Sequence, residues 1–127
     1  KMKIAVVFDS YSTGGGGFFI SLNSALILNK MKSEKFDFHF ISIFKDTHKI
    51  LEENNLKVLQ FSYNKVKLSR LHFRLSKSPI INLIFEKFRI KNHFSNFLKK
   101  NNFKLVIFLG PSFLINSCDN IDFIVNI

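Results

Sequence analysis

From Lys3 the chain runs Lys-Ile-Ala-Val-Val-Phe, apolar at every position from Ile4 to Phe8. A strand with one wet face alternates polar and apolar residues, so a run with no polar position has to be covered on both sides. Phe18 to Lys32 then places Phe19, Leu22 and Leu26 at helical spacing, and Phe36 to Phe44 is aromatic and branched again. Asp46 or Thr47 is placed to cap a short helix that stops at Asn54-Asn55, and Leu56 to Phe61 reads as a third strand.

Pro79 suits the first position of a long helix reaching about Lys100, ended by Asn101-Asn102. Phe103 to Leu109 follows as a strand, Gly110-Pro111 breaks it, a short turn or helix comes next, and Ile121 to Ile127 reads as the last strand. Strand–helix alternation with unbroken apolar strands predicts an α/β chain: a Rossmann-like, doubly wound parallel sheet of about five strands. No repeat, linker or low-complexity tract divides residues 1–127, so one domain is expected. The last strand has no helix after it, and the sheet is expected to be incomplete at the C-terminus.

Composition excludes several classes. Hydrophobic residues are 46% of the chain and charged residues 22%, the balance of a folded core rather than of a disordered chain. The formal net charge is +10, but Arg70, Arg74 and Arg89 are the only arginines, and phosphate readers of nucleic acid rely on arginine forks. A drift of composition toward Phe, Ile, Lys and Asn accounts for the basicity, and no nucleic-acid partner is expected. Cys118 is the single cysteine, so no disulfide closes within the chain, which fits a reducing compartment. No run of about 18 apolar residues predicts a transmembrane helix. The expected location is cytoplasmic, with peripheral contact at the inner face of the membrane as an added expectation from the basic stretch described below.

Of the chain's five glycines, Gly14, Gly15, Gly16 and Gly17 are consecutive. They join the first strand to the first helix, where an open parallel sheet takes its ligands. Glycine lets backbone amides approach a ligand closely, and the helix amino terminus adds unpaired N–H groups and the positive end of a dipole. Phosphate suits that environment. A turn that merely changes direction is the plain alternative, but ordering consecutive glycines carries an entropy cost that a simple turn avoids. Neither standard phosphate fingerprint fits. The G-x-G-x-x-G spacing from Gly14 reaches Gly16 and then Phe19, Ser10 to Thr13 lengthen the loop, and no Gly-Lys-Ser/Thr ending is present.

The opening MKIAVVFDSYSTGGGGFFISLNSALIL, with the later FKLVIFLGPSFLI and FIVNI, resembles the amino-terminal domain of GT-B glycosyltransferases of the group 1 or family 4 type. The resemblance spans nearly the whole chain in element order; its sequence-specific parts are the first thirty residues and the segment from Phe103 to Ser112. It implies the acceptor-side half of a two-domain enzyme that moves a sugar from a nucleotide-sugar donor to a glycan or lipid-linked acceptor, in polysaccharide or glycolipid synthesis. By that resemblance, Gly14 to Gly17 and Phe18 face the donor phosphates. Asp9, Gly110, Pro111 and Ser112 are second-tier residues of the same cleft. No cofactor or metal is implied. The donor-binding domain is absent from these residues, so transfer by this chain alone is not expected, and no catalytic residue is assigned. Leu109-Gly110-Pro111-Ser112 carries no histidine where family members often have one.

Two readings compete with this one. A non-catalytic α/β module would hold a phosphorylated ligand or rest on a membrane surface. An oxidoreductase-type dinucleotide domain is disfavoured by the missing third glycine and by Asp46, a poor stand-in for the acidic residue that should end the second strand.

The remaining chemistry is sparse. His39, His48, His72 and His93 are scattered without metal-ligand spacing, and Cys118 has no histidine close by in sequence. Asp9 is more simply a turn-former, and Glu52-Glu53 a solvated helix face. In Tyr63 to Ser78, Lys65, Lys67, Arg70, Arg74 and Lys77 alternate with apolar residues and no acid intervenes. If that stretch is helical, Leu68, Leu71 and Leu75 share a face, a pattern suited either to an anionic membrane surface or to a solvated segment.

Overall fold

The computed structural model describes residues 2–8, 16–31, 34–90, 92–109, 114, 118 and 123–126. Strands β1 (Met2–Phe8), β2 (Phe36–Ser42), β3 (Val58–Gln60), β4 (Leu105–Phe108) and β5 (Phe123–Asn126) alternate with helices α1 (Gly16–Lys30) and α2 (Lys45–Glu53), while α3 (Tyr63–Ser76), α4 (Pro79–Lys87) and α5 (His93–Lys100) all fall between β3 and β4. The strands form one sheet in the order β3-β2-β1-β4-β5, and each adjacent pair is parallel. The fold is α/β and Rossmann-like.

The unbroken apolar reading of β1 has a direct structural cause. Ile4, Val6 and Phe8 pack with Phe18, Leu22 and Ala25 of α1 and Leu51 of α2 on one face of the sheet. Ala5 and Val7 pack with Val66 of α3 and Phe94 and Leu98 of α5 on the other. The same split runs through β4, where Ile107 and Leu109 join the first core and Val106 and Phe108 the second. Successive side chains point to opposite faces, so burial on both faces leaves no polar position.

Two helix stops use one device. Asn55 and Asn102 sit in the left-handed region at φ 61 and 61. In each case the next residue, Leu56 or Phe103, donates its N–H five residues back, to Leu51 O at 3.2 Å or Leu98 O at 3.0 Å. Both are Schellman closures, with Leu56 and Leu51 buried in one core and Phe103 and Leu98 in the other.

The single helix expected from Pro79 to about Lys100 is instead two. Arg89 occupies the left-handed region at φ 54, and Ile90 N–H reaches Phe85 O at 2.8 Å, so α4 closes with the same bonds. Asn92 then caps α5, its side-chain oxygen accepting from Phe94 N–H at 3.0 Å and Ser95 N–H at 3.4 Å. The stop was hidden because arginine is an uncommon residue at a position that ordinarily takes glycine or asparagine.

Candidate functional site

The sheet order creates a switch point. β1 leads through α1 to β2 on one side, whereas β4, reached from β3 through the α3–α5 layer, pairs with β1 on the other. Connections leaving two neighbouring parallel strands in opposite directions open a crevice at their carboxyl ends. Val7 pairs with Phe108 in the β1–β4 register, and Leu109 N–H donates to Val7 O at 3.4 Å. The chain therefore leaves β1 at Phe8 and β4 at Leu109 side by side.

Both strand ends lie at the carboxyl edge of the sheet. Asp9, Gly14 and Gly15 lie outside the described residues, as do Gly110, Pro111 and Ser112. Gly16 and Gly17 are the first residues of α1, whose first turn carries no acidic side chain. Among the described residues, a Cβ built on Gly17 would meet nothing within 4 Å. Phe18 is placed by its side chain. Its side chain is buried, with the ring 6.4 Å from that of Phe8, so it anchors the start of α1 to the end of β1 and leaves only its backbone toward the edge.

The same edge holds a side-chain relay that spacing alone did not single out. Ser42, at the carboxyl end of β2, pairs with Phe8 across the sheet, and its Oγ lies 2.9 Å from His48 Nδ1. His48 Nε2 lies 2.6 Å from Glu52 Oε1 one turn further along α2. In the neutral ring Nε2–H donates to the carboxylate, and Nδ1 accepts the Ser42 proton. With both nitrogens engaged and Ser42 fully buried, the trio fixes the start of α2 against the end of β2; it does not present a nucleophile. The i,i+4 spacing of His48 and Glu52 was legible, but the link to Ser42 needed the fold. Beside His48, the buried Thr47 hydroxyl has no hydrogen-bond partner among the described residues.

The basic stretch is helical, and its cations are distributed around α3 and its end. Lys67, Arg70, Leu71 and Arg74 line a shallow concavity of about 190 Å³. Lys67 Nζ sits 4.7 Å from the Tyr63 ring centroid and Lys77 Nζ 5.0 Å from that of Phe73, while Lys65 is exposed. Val66 and Ser69 face inward, which turns Leu68 and Leu71 outward. A larger cavity of about 520 Å³ lies between α3, α4 and α5 and includes His72, Phe85, Glu86, Arg89, Asn96 and Lys99. His72 stacks on Phe85 at 4.5 Å and its Nε2 lies 3.2 Å from Ile90 O, holding α4 against α3 as a helical hairpin.

The other candidates occupy structural positions. His39 Nε2 lies 2.8 Å from Asp37 Oδ2, with the ring edge-on to Phe103. Cys118 Sγ donates to Leu114 O at 3.5 Å. Among the described residues, no group of His, Cys, Asp or Glu is arranged to hold a metal ion, and no helix is long and apolar enough to cross a membrane. In comparisons with known proteins, the chain matches no family model, no curated protein and no solved structure.

Proposed function

We propose that this chain is the acceptor-side half of a nucleotide-sugar glycosyltransferase, with its glycine run turned toward the donor diphosphate. The observation that supports the reading best is the adjacency of Phe8 and Leu109 at the switch point, the two strand ends that the Gly14–Gly17 and Gly110–Ser112 segments follow in sequence. A diphosphate there would meet backbone N–H groups at the start of α1, with no carboxylate in that helix's first turn to compete for them. Gly17 strengthens the case. Among the described residues no neighbour crowds it, so none of them explains why a helical position should lack a side chain. Close approach by a ligand does.

In this proposal the donor sugar's nucleotide and the catalytic groups are handled chiefly by a second α/β domain, and the acceptor is a glycan or lipid-linked sugar. The experiment is a titration of the isotope-labelled chain with nucleotide-diphosphate sugars and with inorganic pyrophosphate, followed by amide chemical shifts. Saturable shifts confined to residues 14–18 and 110–112, lost in Gly15→Val, are expected. Unchanged amides in both segments at millimolar ligand, or transfer at the wild-type rate by an intact enzyme bearing Gly15→Val and Gly16→Val, would defeat the proposal.

The second reading, a non-catalytic module that holds a phosphorylated ligand or contacts a membrane surface, is favoured by the outward-facing Leu68 and Leu71 among the cations of α3. Phosphate binding without sugar selectivity would favour that reading.

A further inference from the structure

The geometry points to α4 as the element that docks this chain on an anionic lipid bilayer, its outer stripe entering the headgroup layer between flanking lysines. Helix α4 has no buried residue. Its polarity is inverted: Ile80, Leu83, Ile84 and Phe88, at i, i+3, i+4 and i+8, point away from the protein and are 72%, 64%, 45% and 66% exposed. Phe85, on the inner side, is held by the His72 stack. A helix whose apolar stripe faces outward is covered by something else under working conditions.

Charge identifies what covers it. Lys77 precedes α4 at the end of α3, and Lys87 lies within the stripe with its Nζ 5.9 Å from the Phe88 ring centroid. From Asn54 to Asn102 the sequence contains one acid, Glu86. Glu86 lies off the stripe, on the cavity side, 3.4 Å from the Asn82 amide that donates to it. An apolar ridge edged by cations matches an interface whose outer layer is anionic and whose next layer is hydrocarbon. The lysine stems can lie along the apolar layer while their ammonium groups stay at headgroup level.

Other occupants fit less well. Two copies meeting through this face would juxtapose Lys77 and Lys87 of each without a carboxylate between them. Nucleic acid offers phosphates but no apolar layer for Leu83 and Ile84. A convex ridge needs a matching groove in a protein partner, whereas a bilayer yields to it.

This inference deepens the membrane reading of α3 and rests on it only for the added cations of that helix. Separate variants keep the two distinguishable. The experiment measures co-sedimentation of the chain with vesicles of phosphatidylcholine alone and of phosphatidylcholine with roughly one-third phosphatidylglycerol, at low and high salt. The α4 double variant Leu83→Ser/Ile84→Ser, the α3 variant Lys67→Gln/Arg74→Gln and an α1 control, Ile20→Ser/Ile27→Ser, are compared with wild type, with circular dichroism confirming the fold. All of these positions are exposed.

Salt-sensitive binding to the anionic vesicles is expected, weakened about tenfold by the α4 substitutions and unchanged by the α1 control. A Phe88→Trp probe should shift its emission to the blue on vesicle addition. Wild-type affinity in the α4 variant would overturn the inference while sparing α3 if the α3 variant is weakened. Absence of vesicle binding by wild type would overturn both. Equal losses from the α1 and α4 variants would indicate unspecific adhesion, and a concentration-dependent dimer abolished by the α4 substitutions without vesicle binding would identify a second copy as the occupant; either result overturns the inference.

Discussion

Ser69 and Asn92 form a reciprocal buried clasp between α3 and α5. Asn92 Nδ2 donates to Ser69 O at 3.1 Å, while Ser69 Oγ and Asn92 Oδ1 both accept from Phe94 N–H, at 3.1 Å and 3.0 Å. Removing the Asn92 side chain strips α5 of its cap and takes from Ser69 O the bond it accepts across the two helices. Asn92→Ala is expected to cost about 2 kcal/mol in denaturant-unfolding free energy, and Ser69→Ala, which leaves the cap in place, about 1 kcal/mol. Equal losses would show that the cap and the clasp do not act separately.

Gly17 offers a direct opposition between stability and binding. Its position is helical and open, so Gly17→Ala is expected to raise stability by about 0.5 kcal/mol. If the glycine is kept for ligand approach, the same substitution weakens pyrophosphate binding. Thermal unfolding and the amide titration measured on one sample check both signs.

Arg89 holds a left-handed conformation, at φ 54, that side chains with a Cβ resist. Arg89→Gly is expected to stabilise the chain by about 1 kcal/mol, with Arg89→Asn intermediate, because the closing bonds from Ile90 to Phe85 remain. The change in midpoint on urea unfolding reports it. Asn55→Ala and Asn102→Ala should move the other way.

Thr47 buries a hydroxyl that has no partner among the described residues. Thr47→Val keeps the branched shape and removes the unsatisfied group, so a gain of about 1 kcal/mol is expected, read from the urea midpoint. A loss would mean that the hydroxyl is satisfied in solution.

Local patterns carried much of this molecule. The unbroken apolar reading of Ile4 to Phe8 required cover on both faces, and the two core clusters supply it. Asn54-Asn55 and Asn101-Asn102 marked helix ends because asparagine tolerates the left-handed conformation that closes a helix. The break after Phe88 escaped the same reading because its left-handed residue is Arg89, whose identity carries no such signal.

The candidate site divides along the same line. The sequence by itself determined that glycines follow one strand and Gly110-Pro111 another, since composition and periodicity are properties of neighbouring residues. Only the tertiary structure decided that Phe8 and Leu109 end side by side, because the order in which parallel strands pair depends on contacts between segments about a hundred residues apart. The outward turn of Ile80, Leu83, Ile84 and Phe88 was decided in the same way. An apolar stripe at helical spacing reads alike whether a helix faces a core or solvent, and only the packing of α4 against α3 through His72 and Phe85 fixes which side is left uncovered.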